Sequence, residues 1–370
     1  MNSATVFCGV IVLGLALVGF KKQGELLERA NPTGVRVPDR TISYNEQVQD
    51  FFPLSSRELL FIQGITDTAN ETPKVVEGNW VRTMRVFRVD LITKKVKRDA
   101  RLEKAISEWF WTGFTLSPDG KWLLCHSGDK KWPNKIVEIK TGKVSKAPLV
   151  ESSSTIWLPS GKALLTTVFP KPKYGSGMVE NAPEPYAKAF AFPRTNPAAA
   201  RPYAFVYGKT PDPKLTALPY WGSPVVVTPD RRLLTLSSYQ ATAEHPWHQV
   251  IRINEFAIED TKLVHRHTYK IEPPDAAVYN RVVRINPQGT RVLWQGNERA
   301  MDSSQTWSFS TSNLDGSDRH DYGRIAIPSA NEPYRPEIVH EEYFGAEWMP
   351  DGKTICFIAN RKIYTIEDGK

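Results

Sequence analysis

The phrase "LSPDGKWLLC" at residues 116–125 returns as "WLPSGKALLT" (157–166), "VTPDRRLLTL" (227–236), "INPQGTRVLW" (285–294) and "WMPDGKTICF" (348–357). A looser copy, "FFPLSSRELLF" (51–61), carries one extra residue after its proline. Repetition of this kind constrains a chain more than its composition does. Each copy must be one supersecondary unit that buries its faces against its neighbours. The prolines Pro53, Pro118, Pro159, Pro229, Pro287 and Pro350 lie 41 to 70 residues apart, so connections vary while the unit is kept.

Each copy reads as strand, tight turn, strand. Two residues before the proline stands an apolar side chain, and an apolar doublet follows the turn, Leu123-Leu124 in the first quoted copy. Proline presets one turn dihedral, Asp or Ser bonds the next amides, and Gly accepts positive φ. A third strand is predicted in "MRVFRVDL" (84–91), "NKIVEIK" (134–140), "HQVIRINEF" (248–256), "TWSFSTSNL" (306–314) and "RKIYTIE" (361–367), with a fourth after a short turn. The 11 Trp, 13 Tyr and 16 Phe suit pleated surfaces. Four strands repeated six times predict an all-β, six-bladed β-propeller with four-stranded blades. Blade cores are expected near 48–99, 111–149, 154–206, 222–271, 280–325 and 344–370. The last unit runs out after its third strand, so an N-terminal strand, "TISYNEQV" (41–48), is predicted to complete it and close the ring.

These turns resemble those of the TolB-like, WD-like β-propellers of bacterial envelope proteins, in which a Ser-Pro-Asp-Gly-Lys-type turn recurs once per blade. The resemblance covers residues 41–370. It implies the propeller fold but no single activity, because such propellers serve both as binding scaffolds and as accessory domains of enzymes.

Residues 1–22 are expected to be a signal or anchor segment and 23–40 a linker. "VFCGVIVLGLALVGF" (6–20) is uncharged and apolar, with Lys21 and Lys22 behind it, which suits a signal-peptide core or a short apolar membrane helix. The expected location is membrane-anchored or exported, with the bacterial envelope or periplasm favoured and the side left open. Three cysteines provide no disulfide framework; Cys125 and Cys356 read as buried free thiols. The net charge is +8, and Lys74–Lys104 holds ten Lys/Arg against four Asp/Glu. That excess could attract anionic lipid, polysaccharide or nucleic acid, or be a solvated sheet edge that discourages strand addition. The edge reading is favoured, and no nucleic-acid partner is expected.

Propeller wiring puts the short repeat turns at one end of the ring and long, varied loops at the other, where binding is expected. The candidate interaction face there comprises Trp109, Trp111, Trp132, His245, Trp247, His248, Glu298, Arg299, Arg335, Glu341 and Glu342. Residues 169–224 read as a lid or docking arm, or else as an irregular blade edge. His265 and His267 are expected to point the same way from a strand. Two histidine pairs do not make a metal site, so no metal or other cofactor is expected. Asp50, Arg284 and Glu347 each immediately precede the apolar position before a turn, and form a candidate channel cluster. No Gly-x-Ser-x-Gly, His-Glu-x-x-His or P-loop is present, and no catalytic residue is assigned. The expected function is a non-enzymatic scaffold of the cell envelope for a protein or glycan. The alternative is a hydrolase or lyase with a His/acidic site at the channel mouth.

Overall fold

The computed structural model describes residues 25–36, 49–65, 75–76, 79–80, 83–106, 111–127, 134–147, 153–168, 188–196, 199–206, 225–240, 249–271, 279–299, 305–327, 345–359 and 362–369. A short helix, Glu25–Arg29, precedes strand β1 (Asn31–Arg36). The first sheet has the order β2 (Gln49–Pro53), β3 (Glu58–Ile65), β6 (Thr83–Asp90), β7 (Lys95–Arg98), with a small hairpin, β4 (Val75–Val76) and β5 (Asn79–Trp80), between its second and third strands. The second sheet follows helix Ala100–Ile106 and contains β8 (Trp111–Leu116), β9 (Trp122–Ser127), β10 (Lys135–Glu138) and β11 (Val144–Lys146).

An eight-stranded sheet comes next. Its first half is β12 (Ser153–Trp157), β13 (Ala163–Val168), β14 (Lys188–Pro193) and β15 (Arg201–Val206). Its second half is β16 (Val225–Val227), β17 (Arg232–Gln240), β18 (Gln249–Glu259) and β19 (Lys262–Ile271). Each half is an antiparallel meander, and among the described residues their strands are hydrogen-bonded to each other through a parallel pair, with Ala204, Phe205 and Val206 of β15 opposite Lys262, Leu263 and Val264 of β19. Another four-stranded sheet holds β20 (Tyr279–Ile285), β21 (Arg291–Arg299), β22 (Gln305–Asn313) and β23 (His320–Ile327). The last contains β24 (Gly345–Trp348), β25 (Thr354–Ala359) and β26 (Lys362–Glu367), with β1 on its outer edge. The fold is all-β and propeller-like.

The apolar doublets explain the stacking. Leu59-Leu60, Leu123-Leu124, Leu164-Leu165, Leu233-Leu234, Val292-Leu293 and Ile355-Cys356 are each 0–1% exposed. Neighbouring strand residues face opposite sides, so a doublet buried at both positions belongs to a sheet covered on both faces. Leu60 packs with Leu123 of the second sheet, while Leu59 packs with Cys356 and Ile358 of the last. Similar clusters join every consecutive pair, and the one linking last sheet to first completes the circuit. Fully burying one such side chain stabilises by about 1.5–3 kcal/mol.

The closing strand is Asn31–Arg36 rather than 41–48, which lies outside the described residues. Asn31 pairs with Thr365 and Arg36 with Lys362. The expected linker 23–40 is therefore partly structural. Its helix puts Leu26 and Ala30 among Phe309, Tyr322 and Phe357, and Val35, 2% exposed, enters the cluster shared with the first sheet. Val35 is buried through long-range pairing, which local pattern does not report. Residues 169–224 also differ from a simple insertion, because they supply β14 and β15, the third and fourth strands of their half-sheet. The apolar stretch 6–20 lies outside the described residues; among those described, no helix is long and apolar enough to cross a membrane.

Candidate functional site

At the turn end of the ring, the repeat residues are committed to structure. Asp119 accepts hydrogen bonds from Ser117 Oγ (2.6 Å) and Lys121 N (3.2 Å). Asp351 accepts from the amides of Lys353 and Thr354 at 2.8 Å each. Asp230 accepts from Thr228 Oγ1 and, at 2.7 Å, from Arg232 Nε. Burial raises the Asp230 pKa, but these two partners outweigh it and leave the carboxyl below its ordinary value. Successive turns are then stitched together: Arg232 donates to Gln288 O (3.0 Å), Gln288 to Asp351 O (3.2 Å) and Asn286 to Gly352 O (3.0 Å).

The turn glycines serve this stitching as well as backbone conformation. A Cβ on Gly120 would stand 2.9 Å from the backbone carbonyl Leu54 O of the preceding sheet, whereas one on Gly352 would meet the movable side-chain amide of Gln288. Positive φ predicted glycine here; at Gly120 the close approach of the neighbouring turn is a second requirement that only the assembled ring imposes.

The innermost strands bring two of the three channel candidates together. Arg284 Nε on β20 donates to Glu347 Oε1 on β24 at 2.8 Å, with side chains 38% and 28% exposed. That exposure makes the pair a solvent-accessible feature of the inner wall and not a dry ion network. Trp348 Nε1 braces the same pair of strands by donating to Arg284 O at 3.3 Å. Asp50 lies on β2, the innermost strand of the next sheet, opposite Ile62 of β3; its side chain lies outside the described residues.

His126, which sequence reasoning does not single out, lies on β9. It follows Leu124 by two on β9, so it shares the face turned towards the third sheet position, and its Nε2 lies 2.7 Å from Thr115 Oγ1. Burial pushes its pKa down to about 4, so the ring is neutral at physiological pH. The signal available in the sequence was its period-2 relation to a buried leucine.

The second half of the eight-stranded sheet carries polar groups on the side facing the first half. Arg252, Asn254 and Thr235 are 5%, 8% and 1% exposed. Thr268 Oγ1 donates to Asn254 Oδ1 at 2.8 Å and lies 2.8 Å from His265 Nε2. Burial lowers the His265 pKa. His265 and His267 do not point the same way. The register slips between Glu255 and Phe256, where Glu255 pairs with His267 and Phe256 with His265, leaving Arg266 as a bulge residue. His265 packs edge-on to Phe256 at 5.4 Å, while His267 packs on Tyr269 at 4.4 Å, whose hydroxyl donates to Glu255 on the other face.

Among the interaction-face candidates, Trp111, Glu298 and Arg299 sit at strand ends away from the repeat turns, opposite Ser127, Thr306 and Gln305 respectively. Their side chains lie outside the described residues, as do Trp109, Trp132, His245, Trp247, His248, Arg335, Glu341 and Glu342 entirely. No group of three or more His, Cys, Asp or Glu among the described residues could hold a metal ion. Cys125 and Cys356 are free and 0% exposed, and burial raises both thiols.

No family model and no curated protein matches this chain. Solved structures with a similar fold include the WD40 domain of SCAP from fission yeast, 9% identical over 92% of this chain and 98% of that one, TM-score 0.39. A gluconolactonase from Xanthomonas campestris is 13% identical over 89% and 99%, TM-score 0.40. The β-propeller domain of the Trilobed protease from Pyrococcus furiosus is 12% identical over 85% and 81%, TM-score 0.37. At these identities and scores, the likenesses assign neither a family nor an activity to this chain.

Proposed function

We propose that the chain is a six-bladed, TolB-like, WD-like β-propeller that acts as a non-enzymatic binding scaffold of the cell envelope. Each half of the eight-stranded sheet begins with a repeat phrase and runs as its own meander, which supports counting it as two blades with joined outer edges. Residues 6–20 would associate the scaffold with the membrane, and a protein or glycan would bind at the long-loop end.

One observation carries this reading. At the turn end, side chains and carbonyls of the repeat are spent on bonds within and between sheets, Asn286 to Gly352 O and Arg232 to Gln288 O among them. The turn end would then serve as a rigid base for the other end, where a partner would be recognised.

The test is site-specific photocrosslinking in the native host from Ser127 or Arg299 at the long-loop end, against Lys121 or Lys353 at the turn end. The expected result is one protein or glycan class captured from the long-loop sites alone, unaffected by Asp119→Asn. Capture confined to the turn end would overturn the reading. Turnover of a substrate dependent on the long-loop acids or histidines would move it to the alternative, a hydrolase or lyase.

A further inference from the structure

The outer rim of the first two sheets differs from the rest of the molecule. Residues 83–106 and 134–147 contain 12 Lys/Arg and four Asp/Glu, a net +8, equal to the net charge of the whole 370-residue chain. The remainder of the protein is therefore balanced. The acids in this region are already engaged. Asp90 pairs with Arg57, Asp99 with Arg88, Glu103 with Arg98, and Glu138 accepts from Thr141. Lys94, Lys95, Lys97, Lys140, Lys143 and Lys146 are exposed and make no ion pair among the described residues.

Two of the exposed large hydrophobic residues lie within this basic rim. Ile92 is 68% exposed, next to Lys94 and Lys95; Val144 is 40% exposed, between Lys143 and Lys146. Ile92 lies in the connection between β6 and β7, and Val144 is the first residue of β11, opposite Val137, just after the connection from β10; these third-to-fourth-strand connections of consecutive sheets place both tips at the turn end. The tips are built and held. Asp90 Oδ1 accepts from the amides of Ile92 and Thr93 at 2.9 Å each, and Arg57 fixes the same carboxylate. The other turn is closed by Gly142 N to Glu138 O (2.7 Å) and Glu138 N to Lys143 O (2.9 Å). Apolar tips ringed by unpaired lysines match a bilayer interface, where the tip enters the acyl boundary and ammonium groups reach the headgroups. A solvated edge explains the lysines but not the apolar residues at the tips.

The path of the chain agrees. Strand β1 runs from Asn31, opposite Thr365, to Arg36, opposite Lys362. Glu367 pairs with Thr354 beside the last repeat turn, so β1 starts at the turn end. The apolar residues 6–20 precede it in the chain. Clasp and rim also touch: a Cβ on Gly34 would stand 2.9 Å from Lys94 Nζ.

We propose that this rim, with Ile92 and Val144 as tips and Lys94, Lys95, Lys143 and Lys146 around them, docks on an anionic phospholipid surface and holds the ring turn-end down. The inference concerns the end opposite the proposed binding face, and stands or falls separately from it.

The test uses the full chain with Cys8→Ser and Ile92→Cys, labelled with an environment-sensitive fluorophore; Cys125 and Cys356, 0% exposed, are spared. Val144→Cys is the second reporter. On phosphatidylcholine vesicles containing phosphatidylglycerol the emission should shift to the blue, and on phosphatidylcholine alone it should not. High salt should reverse the shift by screening. The combined change K94E, K95E, K143E and K146E should lower the docked fraction by about tenfold or more. The control change K262E and K362E, at exposed positions elsewhere, should leave it unchanged with the same melting temperature. An equal shift on both vesicle types, or one that survives the fourfold charge reversal, overturns the proposal. So does an equal shift produced in solution by heparin or RNA, which would make the rim a site for a soluble polyanion.

Discussion

Two junctions between neighbouring sheets solve the same geometric problem differently. Sheets that radiate from an axis diverge outwards, so the gap between them widens and must be filled or closed. Between the first and second sheets the chain fills it with helix Ala100–Ile106, whose Leu102 and Ile106 are 1% exposed among Leu60, Met84 and Val137. Asp99 caps the helix, accepting from Leu102 N at 3.0 Å, and buried Glu103 accepts from Val86 N at 3.1 Å and from Arg98 Nε at 2.7 Å. Between the halves of the eight-stranded sheet, β15 and β19 pair directly, with Ala204 N donating to Thr261 O at 2.9 Å. Phe205 stays partly exposed, edge-on to Phe256 at 5.3 Å. The repeat turn differs too. The glycine position is Arg231, at φ 65, where the second sheet has Gly120 pressed against Leu54. Both junctions bury apolar side chains, but the first adds a helix and the second adds backbone pairing between outer strands, so they should respond differently to substitution.

Leu102→Ala should have the largest effect, about 2–5 kcal/mol of lost stability in denaturant titration, because a cavity opens between two rigid sheets. A loss below 1 kcal/mol would mean that the helix does not support its junction.

The junction between the second sheet and β12–β13 has its own sensitivity through His126. Its pKa lies near 4 in the folded protein against 6.5 ordinarily, so the unfolded chain takes up the proton first. The contribution is complete above pH 6.5 and is lost as pH falls towards 4. Roughly 2–3 kcal/mol should disappear across that window. His126→Gln should flatten this part of the pH–stability curve; an unaltered curve would show that His126 is not the titrating group.

Ala204→Pro should have the smallest effect, about 1 kcal/mol, since it removes one backbone donor. Hydrogen exchange should quicken at Leu263 and Val264 while the first junction keeps its protection. Equal quickening at both would erase the distinction between them.

Much of the fold was legible in the residues. The apolar doublets marked every second strand, and the predicted third strands coincide with β6, β10, β18, β22 and β26 to within a few residues. These signals are local: strand alternation and turn chemistry act over two to five residues. Helix Ala100–Ile106 was not legible, because seven residues carry too little periodicity to stand out and its stability comes from the gap it fills. The candidate site was legible only where position along the repeat implied it. Of the channel cluster Asp50, Arg284 and Glu347, the last two form an ion pair between neighbouring innermost strands, whereas His265 and His267 are separated by a bulge.

By itself, then, the sequence determined the repeating unit, its turn chemistry and the strands that stack. Tertiary structure alone decided that residues 31–36 close the ring, that Gly120 makes room for the preceding sheet, and that Ile92 and Val144 share one basic rim. Each of those depends on contacts between residues far apart in the chain. A pattern read over a few neighbours carries no record of which distant edge, turn or face will lie beside it.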